Sequence, residues 1–98
     1  MGLIIDRERH LVISAGREIE LPKKEFELLR LLCSVPGKVF SRHLIFEKVW
    51  GANSTSKGRT VDVHIVNLRK KLGDALIRTI KGVGYKITVE DVSIKEVR

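Results

Sequence analysis

The segment from Arg59 to Leu72, RTVDVHIVNLRKKL, has two faces of opposite character when it is placed on a helix at about 100° per residue. Four apolar side chains fall on one stripe, at spacings of four, three and four residues: Val61, Ile65, Leu68 and Leu72. In a globular domain such a stripe is buried against the core. The segment therefore predicts a helix that packs on one side and presents a different surface on the other.

The opposite face of this helix combines positive charge with small apolar and polar groups, and it carries no carboxylate. Cations bind phosphates, an asparagine amide can bond N6 and N7 of adenine, and small apolar groups contact the thymine methyl, so this face suits a DNA major groove. A solvated cationic face would also explain the pattern. The candidate base-facing residues are Arg59, Thr60, Val63, Val66, Asn67 and Lys70, with His64 and Lys71 at the margin.

The charge balance points to a polyanionic partner. The 98 residues are expected to form one domain, 1–98, and carry 19 Lys and Arg against 12 Asp and Glu, a net charge of +7. This charge would serve DNA, RNA or an anionic lipid surface equally. The sequence has no apolar run near the roughly 18 residues of a membrane span and no signal peptide pattern. With Cys33 as its single cysteine, we expect a soluble, cytoplasmic protein in a reducing compartment.

The first part of the chain predicts a small sheet covered by a helix. Three short apolar runs within 3–21, separated by turn-forming residues, indicate an antiparallel sheet. The segment 22–34 then predicts a helix with a very wide apolar stripe. Pro22 suits its first turn, but no capping side chain precedes it, and Pro36 with Gly37 ends it. The three helices together are expected to occupy 22–72.

The remaining segments complete a helix-turn-helix followed by a hairpin. Ser41 caps a second helix over 42–50, and the polar segment 51–58 predicts a surface loop before the third helix. Two β-rich runs within 76–89 flank Gly82-Val83-Gly84 and predict a β-hairpin, with Lys81 and Lys86 near its tip. An edge hairpin protected by lysines would explain these cations equally well. The segment 90–98 is predicted to be a frayed tail.

Five motifs in this order resemble one known family. They are Leu-Pro-Lys-Lys-Glu-Phe-Glu-Leu-Leu at the first helix, Ser41-Arg42 and Val49-Trp50-Gly51 at the second, Arg-Thr-Val-Asp-Val-His-Ile from Arg59, and Ile-Lys-Gly-Val-Gly-Tyr ending at Tyr85. Over about 3–89 the chain resembles the winged-helix DNA-binding domain of OmpR/PhoB-type response regulators. The resemblance implies an α+β fold with an N-terminal antiparallel sheet, a three-helix core and a C-terminal β-hairpin wing.

The same resemblance implies sequence-specific binding to double-stranded DNA and regulation of transcription, with no enzymatic activity, metal or cofactor. The helix over about 59–72 would lie in the major groove and the wing near 81–85 at the minor groove. The loop would be able to contact RNA polymerase through Gly51, Ala52, Asn53, Ser54, Thr55 and Ser56. The expected contacts to the DNA backbone or minor groove are Arg42, Trp50, Lys57, His64, Arg69, Lys71, Thr79, Lys81, Tyr85 and Lys86.

Three departures from the family pattern qualify this expectation. Some members carry arginine at the positions of Val66 and Asn67, so we expect fewer guanine contacts here, an adenine contact from Asn67 and a thymine contact from Val66. Pro22 replaces the threonine that often precedes the first helix. The N-terminal receiver domain of full-length members is missing, so we expect an isolated effector domain, either cut from a longer parent or encoded alone. A second copy on direct repeats would strengthen binding.

Other classes of function fit the sequence less well. An enzyme is disfavoured because Ser41 and His43 are explained by a helix start, and the three histidines lack metal-ligand spacing. Single-stranded RNA binding usually needs exposed aromatic platforms, and most of the five aromatic residues are placed like core residues. A pure protein-interaction module would not need this many cations on the third helix and the hairpin.

Overall fold

The computed structural model describes residues 2–51, 59–89 and 92–95. Within these ranges the chain forms a small sheet, three helices and a hairpin. In chain order the elements are β1 (Leu3–Asp6), β2 (Leu11–Ser14), β3 (Arg17–Glu20), α1 (Lys23–Ser34), α2 (Arg42–Trp50), α3 (Arg59–Leu72), β4 (Ile77–Ile80), β5 (Gly84–Ile87) and β6 (Val92–Lys95). The predicted α+β winged helix-turn-helix architecture is confirmed.

The N-terminal sheet has four strands in the order β3-β2-β1-β6. The three N-terminal strands pair antiparallel, as predicted, with Ile5 opposite Val12 and Val12 opposite Ile19. Ile5 and Val12 are fully buried because this face of the sheet packs on the helices. Strand alternation thus supplies one wall of the core, as the three apolar runs predicted.

The prediction of a frayed C-terminal tail is wrong for residues 92–95. These residues form β6, which pairs parallel with the outer edge of β1 and places Ile94 opposite Ile5. Val92 and Ile94 pack against the core, while Ser93 and Lys95 are exposed. The alternation of apolar and polar residues was present in the sequence, but its partner strand lies about 90 positions away, and no local pattern specifies that pairing. The other predicted tail residues lie outside the described ranges.

Helix α1 is the centre of the core. It starts after Pro22, which offers no side-chain cap but whose carbonyl accepts the first helical hydrogen bond from the Phe26 N–H at 2.9 Å. Phe26, Leu28, Leu29 and Leu32 are almost completely buried, as the wide apolar stripe predicted. Helices α2 and α3 both pack against α1, and the sheet lies on its other side. This arrangement leaves the outer faces of α2 and α3 available to a partner.

The other two helices begin and pack as the sequence predicted. Ser41 caps α2, because its hydroxyl accepts a hydrogen bond from the Leu44 N–H at 3.0 Å. In α3 the predicted stripe is buried: Val61 and Leu68 are fully covered and Ile65 is 1% exposed. Leu72 is partly buried against the same core. Burying this stripe fixes which face of α3 points outward.

The wing is fastened to the body by a short antiparallel pairing. The Phe40 N–H donates to the Tyr85 carbonyl at 2.8 Å, and the Tyr85 N–H donates to the Phe40 carbonyl at 2.9 Å. Gly84 makes this approach possible: a Cβ on Gly84 would lie 2.0 Å from the Phe40 carbonyl oxygen. Phe40 therefore pairs with β5 as a third strand would, and this pairing holds the wing beside the start of α2.

Candidate nucleic-acid interface

The outward face of α3 is exposed and unusually apolar for a surface helix. Val63 is 52% exposed and Val66 is 49% exposed, and Lys70, one turn after Val66, is also exposed. Thr60 and Asn67 are half-buried at one margin of this face. The backbone of α3 begins at Arg59, whose side chain lies outside the described part of the structure. The other predicted base-facing residues therefore share one side of α3, with Thr60 and Asn67 at its edge.

One edge of α3 is joined to the wing by Arg69. Its guanidinium donates to the Ile77 carbonyl at 2.7 Å through Nη2 and at 3.3 Å through Nε. Nη2 also donates to the Thr79 hydroxyl at 2.8 Å. At 100° per residue Arg69 falls closer to the core stripe than to the base-facing residues, and in the structure this side chain lies between α3 and the wing. In this structure Arg69 positions the wing, and Thr79 is exposed beside it.

A second connection on the same edge joins Tyr85, Asp62 and Arg42. The Tyr85 hydroxyl donates to Asp62 Oδ1 at 2.7 Å, and Arg42 Nη2 lies 3.0 Å from Asp62 Oδ2. Burial, together with the hydrogen bond to Asp62, raises the pKa of Tyr85 to about 12. The Arg69 guanidinium carbon lies 5.9 Å from the centroid of the Tyr85 ring. The wing, α3 and α2 are thus linked by one polar network.

This network borders a shallow cleft of about 280 Å³ at the base of the wing. The cleft is lined by Arg42, Asp62, Thr79, Lys81 and Tyr85, together with the other residues of the hairpin turn. Two cations and one carboxylate face the cleft, so its charge favours an anion such as a backbone phosphate. Four predicted backbone-contacting residues from α2 and the wing are therefore brought together here: Arg42, Thr79, Lys81 and Tyr85.

The other edge of α3 meets α2 through aromatic contacts. The Trp50 ring stacks on Phe46 with 5.5 Å between centroids, and its other neighbour is the edge-on ring of His64 at 5.0 Å. His64 Nδ1 lies 2.8 Å from the Thr60 carbonyl oxygen. Because a carbonyl only accepts, Nδ1 carries the hydrogen in this contact. Both Trp50 and His64 are half-buried at the rim of the outward face.

Glu25 on α1 is a functional candidate that the sequence-based prediction missed. Its side chain is 5% exposed and accepts hydrogen bonds from two residues of α3, at 2.8 Å from Lys71 Nζ and at 3.4 Å from Asn67 Nδ2. A signal was available, since Glu25 lies three and four positions before Leu28 and Leu29 and so shares their buried stripe. Lys71 and Asn67 were predicted to contact DNA, but in the unbound domain both contact α1.

Asp62 was also absent from the predicted set, although it faces the cleft between Arg42 and Tyr85. The remaining predicted residues are placed as follows. Lys81 is exposed at the hairpin turn, Lys86 is half-buried on β5, and Gly51 terminates α2 with a φ of 97°. The predictions for Lys57 and for Ala52, Asn53, Ser54, Thr55 and Ser56 fall outside the described residues.

No helix among the described residues is long and apolar enough to cross a membrane. In the same ranges, no group of three or more His, Cys, Asp or Glu side chains is arranged to hold a metal ion.

Comparison with known sequences places the chain among transcriptional regulators. The family model described as the C-terminal part of transcriptional regulatory proteins matches residues 16–87. The phosphate regulon regulatory protein PhoB of Rhizobium meliloti is 45% identical over 87 residues, which cover 85% of this chain and 38% of the relative. The response regulator protein PmrA of Pseudomonas aeruginosa is 40% identical over 85 residues, covering 87% of this chain and 38% of PmrA. The chain thus spans well under half the length of these relatives.

Solved structures show the same fold. The DNA-binding domain of Bacillus subtilis CssR superposes with a TM-score of 0.77 at 34% identity, covering 85% of this chain and 96% of that chain. The Klebsiella pneumoniae RstA DNA-binding domain, solved in complex with the RstA box, gives a TM-score of 0.74 at 30% identity, with 85% and 87% covered. The family is one of DNA-binding transcription regulators and not of enzymes. The chain belongs to the family of C-terminal winged-helix DNA-binding domains of OmpR/PhoB-type response regulators.

Proposed function

We propose that this chain binds specific double-stranded DNA sequences and regulates transcription as the output domain of a two-component response regulator. We place this activity in the cytoplasm and assign the chain no catalytic role. The observation that carries the proposal is the outward face of α3, where Val63 and Val66 are about half exposed beside the exposed Lys70. Exposed valines at the centre of a cationic face match a groove that offers both thymine methyls and phosphates.

In this proposal α3 lies in the major groove and the wing reaches the neighbouring minor groove. The network of Arg69, Tyr85 and Asp62 supports this arrangement, because it fixes the wing to α3 before any DNA is bound. The cleft beside Arg42 and Lys81 is the proposed site for a backbone phosphate. Because α3 and the wing are already held together, less conformational entropy is lost on binding, and both elements can contact one duplex at the same time.

Several partners are part of the proposal. PmrA is named as a response regulator, and both PmrA and PhoB are more than twice as long as this chain, which supports a receiver domain in a longer parent protein. The AdeR DNA-binding domain, at 30% identity and a TM-score of 0.77, was solved in complex with an intercistronic region, which supports duplex DNA as the ligand. We further propose direct repeats that bind a second copy, and contact of the 51–56 loop with RNA polymerase.

The experiment is selection from a random pool of duplex DNA at about physiological salt, followed by titrations of the selected duplex at several salt concentrations. A short motif, repeated head-to-tail at about one helical turn, is the expected result. With about five to seven phosphates neutralised, the logarithm of affinity should fall against the logarithm of salt with a slope of about −5 to −6. Recovery of no motif, together with a slope near zero, would refute the proposal.

A matched pair of lysine substitutions separates the contribution of the α3 face to binding from that of net charge. Lys70→Ala should weaken binding to the selected duplex and make the salt slope less steep by about 1. Lys23→Ala removes the same charge at the exposed start of α1, outside the proposed interface, and should leave the slope unchanged. Equal effects of the two substitutions would mean that net charge, and not the face of α3, drives binding. A single-stranded RNA competitor tests the RNA alternative directly.

A further inference from the structure

We propose that Glu25 is a specificity-determining residue, because its buried carboxylate fixes the orientation of the Asn67 amide and thereby selects which base Asn67 reads. The inference rests on the proposed function, since it assumes that α3 lies in the major groove. Glu25 belongs to α1 and does not itself face the groove, so its effect on specificity is exerted through Asn67.

The carboxylate of Glu25 is held by two donors from α3. Glu25 is 5% exposed, and Lys71 Nζ lies 2.8 Å from its Oε1, while Asn67 Nδ2 lies 3.4 Å from its Oε2. A buried carboxylate is destabilising unless its oxygens are paired with charge and hydrogen-bond donors. Lys71 supplies the opposite charge, and Asn67 supplies the donor at the second oxygen. Both oxygens of this carboxylate therefore have a donor from α3.

The orientation of Asn67 follows from the chemistry of an ionised carboxylate. An ionised carboxylate only accepts hydrogen bonds, whereas an asparagine amide has one accepting oxygen and one donating nitrogen. The oxygen of Asn67 would be repelled by Glu25, so the nitrogen must be the atom that faces it. Because the amide is planar, Oδ1 then lies on the side away from Glu25. The neighbours of Asn67 four residues before and three residues after are Val63 and Lys70, both exposed on the outward face.

The fixed amide presents an acceptor, and purines differ in what they offer to it. Adenine and guanine share the N7 acceptor in the major groove, but position 6 carries an amino donor in adenine and a carbonyl acceptor in guanine. Oδ1 of Asn67 can accept from the adenine amino group and is repelled by the guanine carbonyl. The second hydrogen on Nδ2 remains for N7. Asn67 in this orientation is therefore expected to favour adenine over guanine by roughly 5- to 100-fold at one base pair.

Glu25→Gln removes the restriction while keeping the shape of the side chain. A glutamine amide can either donate or accept, so it can pair with Asn67 in both orientations. In the flipped orientation Asn67 presents its NH₂ group, which can donate to the guanine carbonyl. The expected result is a loss of at least about half of the adenine preference, on a logarithmic scale, at the base pair that Asn67 reads, with the rest of the motif unchanged.

The experiment selects duplexes from one random pool with four proteins: the unsubstituted domain, Asn67→Ala, Glu25→Gln and Lys71→Ala. Asn67→Ala identifies the base pair that depends on Asn67. Glu25→Gln should reduce the adenine-to-guanine ratio at that same pair. Lys71→Ala also breaks the contact between α1 and α3 but leaves the acceptor-only carboxylate opposite Asn67. It should lower affinity for all sequences and keep the adenine preference.

Each outcome decides a different point. An unchanged adenine preference in Glu25→Gln would overturn the proposed role of Glu25. The same loss of preference in Lys71→Ala would also overturn it, because Glu25 would then contribute only a structural contact between α1 and α3. Absence of any motif with the unsubstituted domain would instead refute the proposed function. If Glu25→Gln does not fold, the NMR signals of the Asn67 NH₂ group in the unsubstituted domain decide the matter. Two hydrogens with the chemical shifts and rapid solvent exchange of a free amide would overturn the proposal, and one shifted hydrogen protected from exchange would support it.

Discussion

Replacing Gly84 with alanine tests whether the wing is positioned by the close approach of two backbone segments. The added Cβ would lie 2.0 Å from the carbonyl oxygen and 2.7 Å from the carbonyl carbon of Phe40, and 2.9 Å from Cα of Ser41. All three neighbours are backbone atoms, so no side chain can rotate away. The hairpin must therefore move away from the segment before α2, by more than about 1 Å, to restore an ordinary contact.

The expected loss of stability has two parts. The displacement breaks the paired hydrogen bonds between Phe40 and Tyr85, at 2.8 and 2.9 Å, and each contributes about 1 kcal/mol net. Both residues are also core residues, at 3% and 8% exposure, and forced overpacking of a core costs about 1–3 kcal/mol. Gly84→Ala should therefore lower the free energy of unfolding by about 3–5 kcal/mol. A domain of this size has a total of only about 5–15 kcal/mol.

Urea unfolding measures this loss, and Gly82→Ala is the matched control. Gly82 has a φ of +77° but open space around its Cα, so alanine there meets only backbone strain of about 1 kcal/mol. With a urea dependence of about 1–3 kcal/mol per molar, Gly84→Ala should lower the unfolding midpoint by at least about 1 M. Equal midpoints for the two variants would refute the reasoning, because backbone strain would then explain the whole loss of stability without any crowding against Phe40.

Four further predictions concern the edges of the site and the core. Asp62→Asn should tighten DNA binding a few-fold and steepen the salt slope by about 1, because the Arg42 guanidinium loses its ion pair and a carboxylate that repels phosphate is removed. Weaker binding would contradict this prediction. Because the folded-state pKa of Tyr85 is raised to about 12 from 10.0, its contribution to stability is present below about pH 10 and is lost as the pH rises towards 12. The chain has one tyrosine, so the absorbance of tyrosinate reports this residue alone. Its titration midpoint should lie near 12 and fall towards 10 in Asp62→Asn. Ile94→Ala should lower the free energy of unfolding by about 1–2 kcal/mol in urea without changing DNA affinity, and an unchanged midpoint would mean that β6 does not stabilise the sheet. The Cys33 thiol, whose pKa is raised by burial to about 12, should react with a thiol reagent at neutral pH only as fast as the domain unfolds, and rapid labelling of the native protein would contradict its burial.

The helices and their buried faces were predictable because their signals are local. The stripe of Val61, Ile65 and Leu68 repeats with the period of a helix, and the Ser41 hydroxyl caps a helix three residues ahead of the amide that it binds. These features depend on residues close together in the chain. The same holds for the wing, whose paired strands are separated by only three residues.

The missed features depend on contacts that are distant in the chain. Glu25 reaches residues 42 and 46 positions away, so the sequence shows an acidic residue in an apolar stripe but does not identify its partners. The pairing of β6 with β1 joins the two ends of the chain, and the need for Gly84 arises from the carbonyl of Phe40, 44 positions earlier. Local patterns specify which elements form, whereas these contacts depend on how the elements pack.

The fastening of α3 along both edges has a consequence for how binding preferences can diverge. Lys71 and Asn67 are tied to α1, and Arg69 is tied to the wing, whereas Val63, Val66 and Lys70 lie on the outward face between these edges. Substitutions at exposed positions of this kind change stability by only about 0.5 kcal/mol. New target sequences can therefore be acquired by mutating these three positions without loss of fold, whereas a mutation at Asn67 alters recognition and the packing of α1 at the same time.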